Sequence, residues 1–487
     1  MVDALLVTQR AESSSKTPQL FSPDTPDAFE LVPLPAMALL KKACLNLCPS
    51  RTELDCRHYL PNFSNSRATI VRLCGILPRL PLLLHLELYG LLVRDSRSVQ
   101  LLASTLPEMV NLKRLNITLS NRNPFPGIKP LLYFSCPPSI EQFYIGETHY
   151  FNEEAFDDLE DANDNTEKVW QCLERGTRSL TNLRDLTFDE WDGTETKEKF
   201  LSVFEKCPRL ETMSMKWPYV PAGMDGAEIG KVCPDIHYIS YIGAATTDDD
   251  GEDFWPIEIM ETLPENQVRT LNYHSDFDCY LDEVLAGRTL LRHSRTLRRI
   301  TLGFTVSSAT QRMILGSCEV LEEFSCSISP IDLNDAASPW ASSKMTTLDL
   351  KVRISLPASS TSATQYIPSA DENLTFSQLE IFYRQIGRQT NMEYLNLHLH
   401  QEETVDPESM AVSRKAHGPF PGMLTLKDNP EGRPGFLDLL GGLSKLQVIG
   451  GDIVTEARDG KLAVDAKELD WILEHWSCLR RASFLPY

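Results

Sequence analysis

An apolar spacing that recurs along the chain limits its possible folds more than any other feature. In the stretch CPRLETMSM, Leu210 is followed three residues later by Met213, and Met213 is followed two residues later by Met215. The first apolar residue of this spacing, here called the anchor, occurs at Leu83, Leu112, Ile140, Leu183, Leu210, Ile236, Val268, Leu297, Leu321, Met345, Met392, Leu446 and Leu479. Such regular recurrence predicts an array of similar structural repeats.

Each interval between anchors has room for one strand and one helix. In FLSVFEKC, for example, Phe200, Phe204 and Cys207 lie on one helical face before the strand that follows Leu210. Neither element can cover its apolar face alone, so neighbouring repeats must stack. The sequence therefore predicts an α/β solenoid of about thirteen irregular strand-helix repeats over residues 76–487, with insertions near residues 147–170, 355–375 and 401–435.

The amino-terminal part has a different composition. Residues 1–35 are rich in Ser, Thr, Pro and charge, which predicts a disordered tail. Residues 36–75 are predicted to be a helical capping segment, because Ala36, Leu39, Leu40, Ala43 and Leu47 recur at three- and four-residue steps. A degenerate repeat is also possible near Leu54.

The irregular repeat length, the Cys-Pro before a strand and the closing segment LDWILEHWSCLRRASF together resemble a known class of solenoid. They are similar to leucine-rich-repeat proteins of the ribonuclease-inhibitor-like type, and in particular to fungal F-box proteins with leucine-rich repeats. The resemblance covers about residues 75–487. It implies a horseshoe-shaped leucine-rich-repeat domain that acts as substrate receptor of an SCF-type ubiquitin ligase and binds a Skp-type adaptor.

The chain departs from that family at its amino-terminal end. The nearest candidate for an F-box, LVPLPAMALLKKACLNLC, lacks the acidic residue of the opening element and is short before the repeats begin. An F-box that is truncated, degenerate or absent fits these residues equally well. The alternative function is an interaction scaffold or inhibitor-type leucine-rich-repeat protein unrelated to ubiquitin ligation.

Charge and hydropathy narrow the class of partner. The net charge of −21 disfavours nucleic acid and favours a protein partner with a basic patch. The longest apolar stretch, LCGILPRLPLLLHLELYGLLV, is interrupted by prolines and charges, so we predict no membrane span. With no secretory signal visible, we expect a cytoplasmic and/or nuclear protein.

Candidate catalytic and metal-binding groups are sparse. The acidic run from Glu153 to Glu167 has Thr166 where an EF-hand needs glycine, so we interpret it as a solvated insertion. His398 and His400 could share a metal, but two histidines at this spacing are more often residues leaving a strand. Cys207, Cys233 and Cys318 are predicted to be small buried residues at helix ends.

Because nucleotide-binding and nucleophile motifs are missing from the sequence, we predict no enzyme activity, no cofactor and no bound metal. An enzyme hidden in the insertions at residues 355–372 or 401–435 is the remaining alternative.

Strand alternation predicts which side chains face a partner. The anchors point inward, so the third, fifth and seventh positions of each repeat project from the concave sheet. Nearly all of these positions are polar, which supports the register. The residues nominated for protein binding are Tyr89, Arg114, Tyr144, Asp185, Lys216, Tyr238, His274, Arg299, Tyr394 and His398.

Overall fold

The structure is a computed structural model, and it shows an α/β chain of alternating strands and helices. It describes residues 42–46, 65–91, 93, 96–120, 128–148, 179–189, 196–217, 224–243, 255–275, 283–354, 370–400, 421–422, 424–426, 434–451 and 466–483. The predicted tail, the degenerate repeat near Leu54 and the acidic run from Glu153 to Glu167 lie outside these residues. The chain divides into unit 1, Met1–Ile236, and unit 2, His237–Tyr487.

Both units are built on parallel strands that follow one another in chain order. Unit 1 contains β1 (Lys42–Asn46), β2 (His85–Leu91), β3 (Arg114–Ser120), β4 (Gln142–Thr148), β5 (Asp185–Asp189) and β6 (Thr212–Lys216). Unit 2 contains β7 (Tyr238–Gly243), β8 (Thr270–Ser275), β9 (Arg299–Gly303), β10 (Glu323–Asp332), β11 (Thr347–Arg353), β12 (Tyr394–Leu399), β13 (Val448–Gly450) and β14 (Arg481–Ala482).

Helices connect most of these strands. In unit 1 they are α1 (Asn65–Ile76), α2 (Ser96–Thr105), α3 (Ile128–Phe134), α4 (Lys197–Glu205) and α5 (Gly226–Val232). In unit 2 they are α6 (Trp255–Thr262), α7 (Glu283–Arg292), α8 (Ser308–Ser317), α9 (Leu333–Ala336), α10 (Ala370–Gly387) and α11 (Ala466–His475). Short 3-10 turns lie at Leu77–Arg79, Leu106–Glu108 and Leu437–Leu440. This alternation is consistent with a repeat solenoid.

The structure has strands where the anchors predict them. Each of the thirteen anchors stands two residues before a strand of the structure, from β2 to β14. Twelve of the anchors are buried, and Leu479, before β14, is half-buried. The prediction that Cys207, Cys233 and Cys318 are buried at helix ends is also confirmed.

The prediction of a helical segment over residues 36–75 is wrong near its start, although α1 is a helix at its end. Lys42–Asn46 forms strand β1, which pairs in parallel with β2. Leu40, Ala43 and Leu45 have the same spacing as an anchor and its two followers, and a short apolar run fits either periodicity. The insertion expected at residues 355–375 ends earlier than predicted, because α10 begins at Ala370.

Helix α4 and strand β6 illustrate how one repeat of unit 1 is stabilised. The Thr196 side chain caps the helix by accepting a hydrogen bond from the backbone N–H of Lys199. The side chains of Phe200 and Phe204 are buried on one face of the helix, and those of Met213 and Met215 are buried at alternate positions of the strand. The apolar side chains on these two elements form the core of the repeat.

In unit 2 a buried histidine joins consecutive repeats. The His293 Nε2 atom lies 2.9 Å from the carbonyl oxygen of Met260, and Nδ1 accepts from the backbone N–H groups of Gln267 and Val268. The imidazole therefore carries its proton on Nε2 and satisfies three backbone groups of the preceding repeat. Burial lowers the pKa of His293, with Arg292 acting in the same direction.

Candidate functional site

The candidate site is the polar face of each sheet, defined as the side chains at the first, third and fifth residues of its strands. In β6, for example, Thr212, Ser214 and Lys216 are half-buried, whereas the alternating Met213 and Met215 are buried. Parallel pairing in register places equivalent residues of neighbouring strands side by side. The site therefore consists of rows of side chains, and each row runs across neighbouring strands at equivalent positions.

In unit 1 the structure places four nominated residues on the polar face but separates most of them: Arg114, Tyr144, Asp185 and Lys216. Arg114 and Asp185 stand on β3 and β5, with Gln142 of β4 between them in the same row. Burial raises the pKa of the Asp185 carboxyl, and the charge of Arg114 opposes that rise. Lys216 pairs in register with Asp189, which is buried.

Tyr144 of unit 1 is less accessible than strand alternation suggests. The Tyr144 ring lies along its own strand over Gly146, because a Cβ at Gly146 would stand 2.5 Å from the tyrosine hydroxyl oxygen. Burial and the nearby Asp189 carboxylate raise the pKa of Tyr144. The side chain of Tyr89 lies outside the part of the chain that the structure describes.

Unit 1 also exposes an aromatic residue that the sequence reasoning missed. Trp217 directly follows β6, is 37% exposed and has a positive φ of 43°. Residues other than glycine adopt this left-handed conformation rarely, and such strain is often found at functional sites. No pattern in the sequence distinguishes Trp217 from an ordinary loop residue.

In unit 2 the nominated residues fall into two different rows. The row formed by the first residues of the strands contains Tyr238, Arg299 and Tyr394. In this row Arg299 forms an ion pair with Glu323 of β10. Tyr394 is 37% exposed, so it is the more accessible aromatic residue of this row. Burial and the Asp349 carboxylate raise the pKa of Tyr394, whereas Arg481 lowers it.

His274 and His398 are the fifth residues of β8 and β12, so they lie in the row formed by the fifth residues of the strands of unit 2. The His274 ring lies across the neighbouring strand, because a Cβ at Gly303 would overlap its Nδ1 atom. His398 pairs in register with Lys351 of β11. The two histidines are separated by β9, β10 and β11, so the structure does not bring them together.

Between these two rows lies the central row of unit 2, which is made of the third residues of strands β7 to β13. It runs through Ser240, Asn272, Thr301, Ser325, Asp349, Asn396 and Gly450. Except for Gly450, its members are small and polar, and several are hydrogen-bonded across strands. Asn272 Nδ2 donates to Ser240 Oγ at 3.1 Å.

The densest part of the central row surrounds Asp349. Ser325 donates its hydroxyl proton to Asp349 Oδ2 at 3.1 Å, and Asn396 Nδ2 donates to Asp349 Oδ1 at 2.8 Å. Burial raises the pKa of Asp349, while these two hydrogen bonds and the charge of His398 oppose the rise. The structure thus brings together three residues that were not nominated from the sequence.

A sequence signal for this row does exist. Asn116, Asn272 and Asn396 each occupy the position between the second and third apolar residues of a repeat, in the stretches LNI, LNY and LNL. In all three, the amide oxygen Oδ1 is buried and has no hydrogen-bond partner within the described residues. The recurrence of asparagine could have drawn attention to this position.

The part of the chain that the structure describes holds no group of three or more His, Cys, Asp and Glu side chains that could bind a metal ion. Within those same ranges, no helix is both long enough and apolar enough to cross a membrane.

No protein-family model matches the sequence, and no curated protein matches it.

Proposed function

We propose that the chain is a leucine-rich-repeat protein that recognises another protein through the polar face of its sheets and carries out no covalent chemistry. The observation that carries this proposal is the contrast between the two faces of each strand. One face is buried throughout the core, and the other presents polar side chains that are partly accessible. Solvated strand faces of this kind are suited to surface recognition.

The exposed aromatic residues support a protein partner. Trp217 and Tyr394 are each 37% exposed, and each belongs to or directly follows a strand of the polar face. Tryptophan and tyrosine supply large contact areas with few rotatable bonds, so they are enriched where interfaces gain most of their affinity.

Proximity labelling with the full-length chain tests the proposal. We expect Tyr394→Ala, and independently Thr301→Arg in the central row, to remove proteins labelled by the unaltered chain. Ile381→Ala is the matched control, because Ile381 is similarly exposed but lies on α10. For a purified partner, Tyr394→Ala should weaken binding at least about tenfold. The proposal is wrong if both polar-face variants keep the full set of labelled proteins.

The narrower role of ubiquitin-ligase substrate receptor is a proposal that rests on the resemblance of the repeats. Strand β1 lies within the segment nearest to an F-box and extends the sheet of unit 1. We therefore favour the alternative, an interaction scaffold or inhibitor-type protein. A pull-down of a Skp-type adaptor with the full-length chain distinguishes the two roles, since stable binding of the adaptor would support the receptor and its absence would support the scaffold.

A further inference from the structure

We propose that Arg481 and Tyr394 form a docking subsite on the polar face of unit 2 for a single acidic side chain of a protein partner. This inference rests on the proposed function, because it specifies what one part of that face recognises. It goes further by naming the chemistry of the contact and the two residues that make it.

The two residues lie on either side of Val448 in the row formed by the first residues of the strands. Tyr394 of β12 pairs in register with Val448 of β13, and Val448 pairs in register with Arg481 of β14. The side chain of Val448 is half-buried and has no polar atom. A ligand between Tyr394 and Arg481 therefore meets an apolar floor, against which the methylene groups of an acidic side chain can pack.

A partner can reach both polar groups. Arg481 is exposed, and Tyr394 is 37% exposed. Among the described residues, the Arg481 guanidinium has no ion pair and the Tyr394 hydroxyl has no hydrogen bond. Ala482, which follows Arg481, is buried, so strand alternation directs the arginine to the polar face.

A second arginine of the same row shows what Arg481 lacks. The Nε atom of Arg299 lies 3.2 Å from Oε1 of Glu323 on the next strand, β10. Strand β14 is the last strand of the described sheet, so no following strand offers Arg481 such a carboxylate. An acidic side chain of a partner would supply the group that Glu323 supplies to Arg299.

Both groups of the subsite can donate hydrogen bonds. A guanidinium has only donors, and it presents two of them in parallel to a carboxylate. Burial and the Asp349 carboxylate raise the pKa of Tyr394, so its hydroxyl keeps its proton. Arg481 is close enough for its charge to oppose that rise. One carboxylate can therefore accept from both residues, whereas a cationic side chain would be repelled by Arg481.

The acidic residues that adjoin Tyr394 already have donors of their own. Asp349 accepts two hydrogen bonds within the central row, and Glu393 accepts one from Gln447 Nε2 at 3.0 Å. Lys351 follows Asp349 by two residues on the same face and places a positive charge beside that carboxylate. One acidic side chain, rather than a strongly acidic segment, therefore fits the subsite. It is a local exception to the basic patch that the net charge of the whole chain favours.

A displayed library of random peptides, selected on the immobilised full-length chain, tests the proposal. We expect the selected peptides to share one glutamate or aspartate. Replacing that residue by its amide should weaken binding to the unaltered chain about tenfold, as expected when a hydrogen bond to a charged group is lost. Because this measurement uses no protein variant, a folding defect cannot produce the result.

Protein variants then locate the contact. Arg481→Gln should weaken the acidic peptide about tenfold and have little further effect on the amide peptide. Tyr394→Phe, which keeps the ring and removes the hydroxyl, should also weaken the acidic peptide more than the amide peptide. Arg388→Gln is the matched control and should change neither, because Arg388 is exposed but follows α10, outside the strands. A similar loss for the acidic and amide peptides with Arg481→Gln would overturn the assignment to Arg481.

Thr301→Arg separates failure of the subsite from failure of the proposed function. If selected peptides lose binding with Thr301→Arg but require no acidic residue, the subsite is wrong and the polar face still binds proteins. Enrichment of peptides that require a cationic residue would overturn the subsite in the same way. If no selected peptide depends on the polar face, both the subsite and the proposed function are wrong.

Discussion

Replacing Gly450 by alanine should destabilise the protein, and the structure indicates by how much. The new Cβ would overlap Asn396 Oδ1. If the amide rotates away, it loses its 2.8 Å hydrogen bond to the Asp349 carboxylate. A hydrogen bond to a charged group contributes about 1.5–3 kcal/mol to stability. Removing a glycine from the unfolded chain gains about 0.4–1 kcal/mol. The net loss should therefore be about 0.5–2.6 kcal/mol.

The sign of the effect should reverse when the amide is removed first. In an Asn396→Ala background the added Cβ meets no amide oxygen, so Gly450→Ala should stabilise the protein by about 0.4–1 kcal/mol. The two substitutions should therefore be strongly coupled in a double-mutant cycle, as expected for residues in direct contact.

Urea unfolding of the full-length chain measures these differences, and hydrogen exchange of the β13 amides locates them. Gly287→Ala in α7 is the matched control, because the nearest atom to its added Cβ would be 3.9 Å away. It should stabilise both backgrounds by about 0.5–1 kcal/mol. If Gly450→Ala changes stability by the same amount with and without the Asn396 side chain, the steric reasoning is refuted.

Three further predictions concern buried ionisable groups. Burial lowers the pKa of His293 from 6.5, so the folded chain favours the neutral imidazole. The stability that the neutral imidazole contributes is therefore complete above pH 6.5 and is lost as the pH falls below 6.5. A His293→Gln variant should flatten that decline in urea midpoints measured from about pH 7.5 to about pH 5, and an unchanged slope would contradict the prediction. Glu147→Gln breaks the 2.6 Å ion pair with Lys129, whose side chain is 1% exposed, and should cost about 3–5 kcal/mol in urea unfolding; a cost under about 1 kcal/mol would refute this. Burial raises the pKa of Cys318 and of Cys326 to about 12, so iodoacetamide at about pH 8 should leave both unmodified in the native chain, as peptide mass spectrometry would show; labelling of either residue before unfolding would contradict this prediction.

The repeat positions could be predicted because they depend on a local apolar spacing. Every strand from β2 to β14 begins two residues after a predicted anchor. Strand β1 was missed because Leu40 and Ala43 also fit a helical periodicity, and a short apolar run does not distinguish the two. Its parallel pairing with β2 is a contact with a distant part of the chain.

The candidate site could be predicted only in part. Alternation correctly placed Tyr394 and His398 on the polar face, because side-chain direction follows from strand geometry. Alternation did not show that the Tyr144 ring lies over Gly146 or that Trp217 is exposed in a strained conformation. These features depend on neighbouring side chains and on backbone angles outside the regular repeat.

The sequence by itself determined the spacing of the strands and the direction of their side chains, because apolar spacing fixes which face is buried. Only the tertiary structure decided that Asn396 donates to Asp349, a residue 47 positions earlier in the chain. Only the stacking of β11, β12 and β13 decided that its amide oxygen lies over Gly450. Such contacts follow from the register between repeats, and the irregular lengths between anchors conceal that register in the sequence.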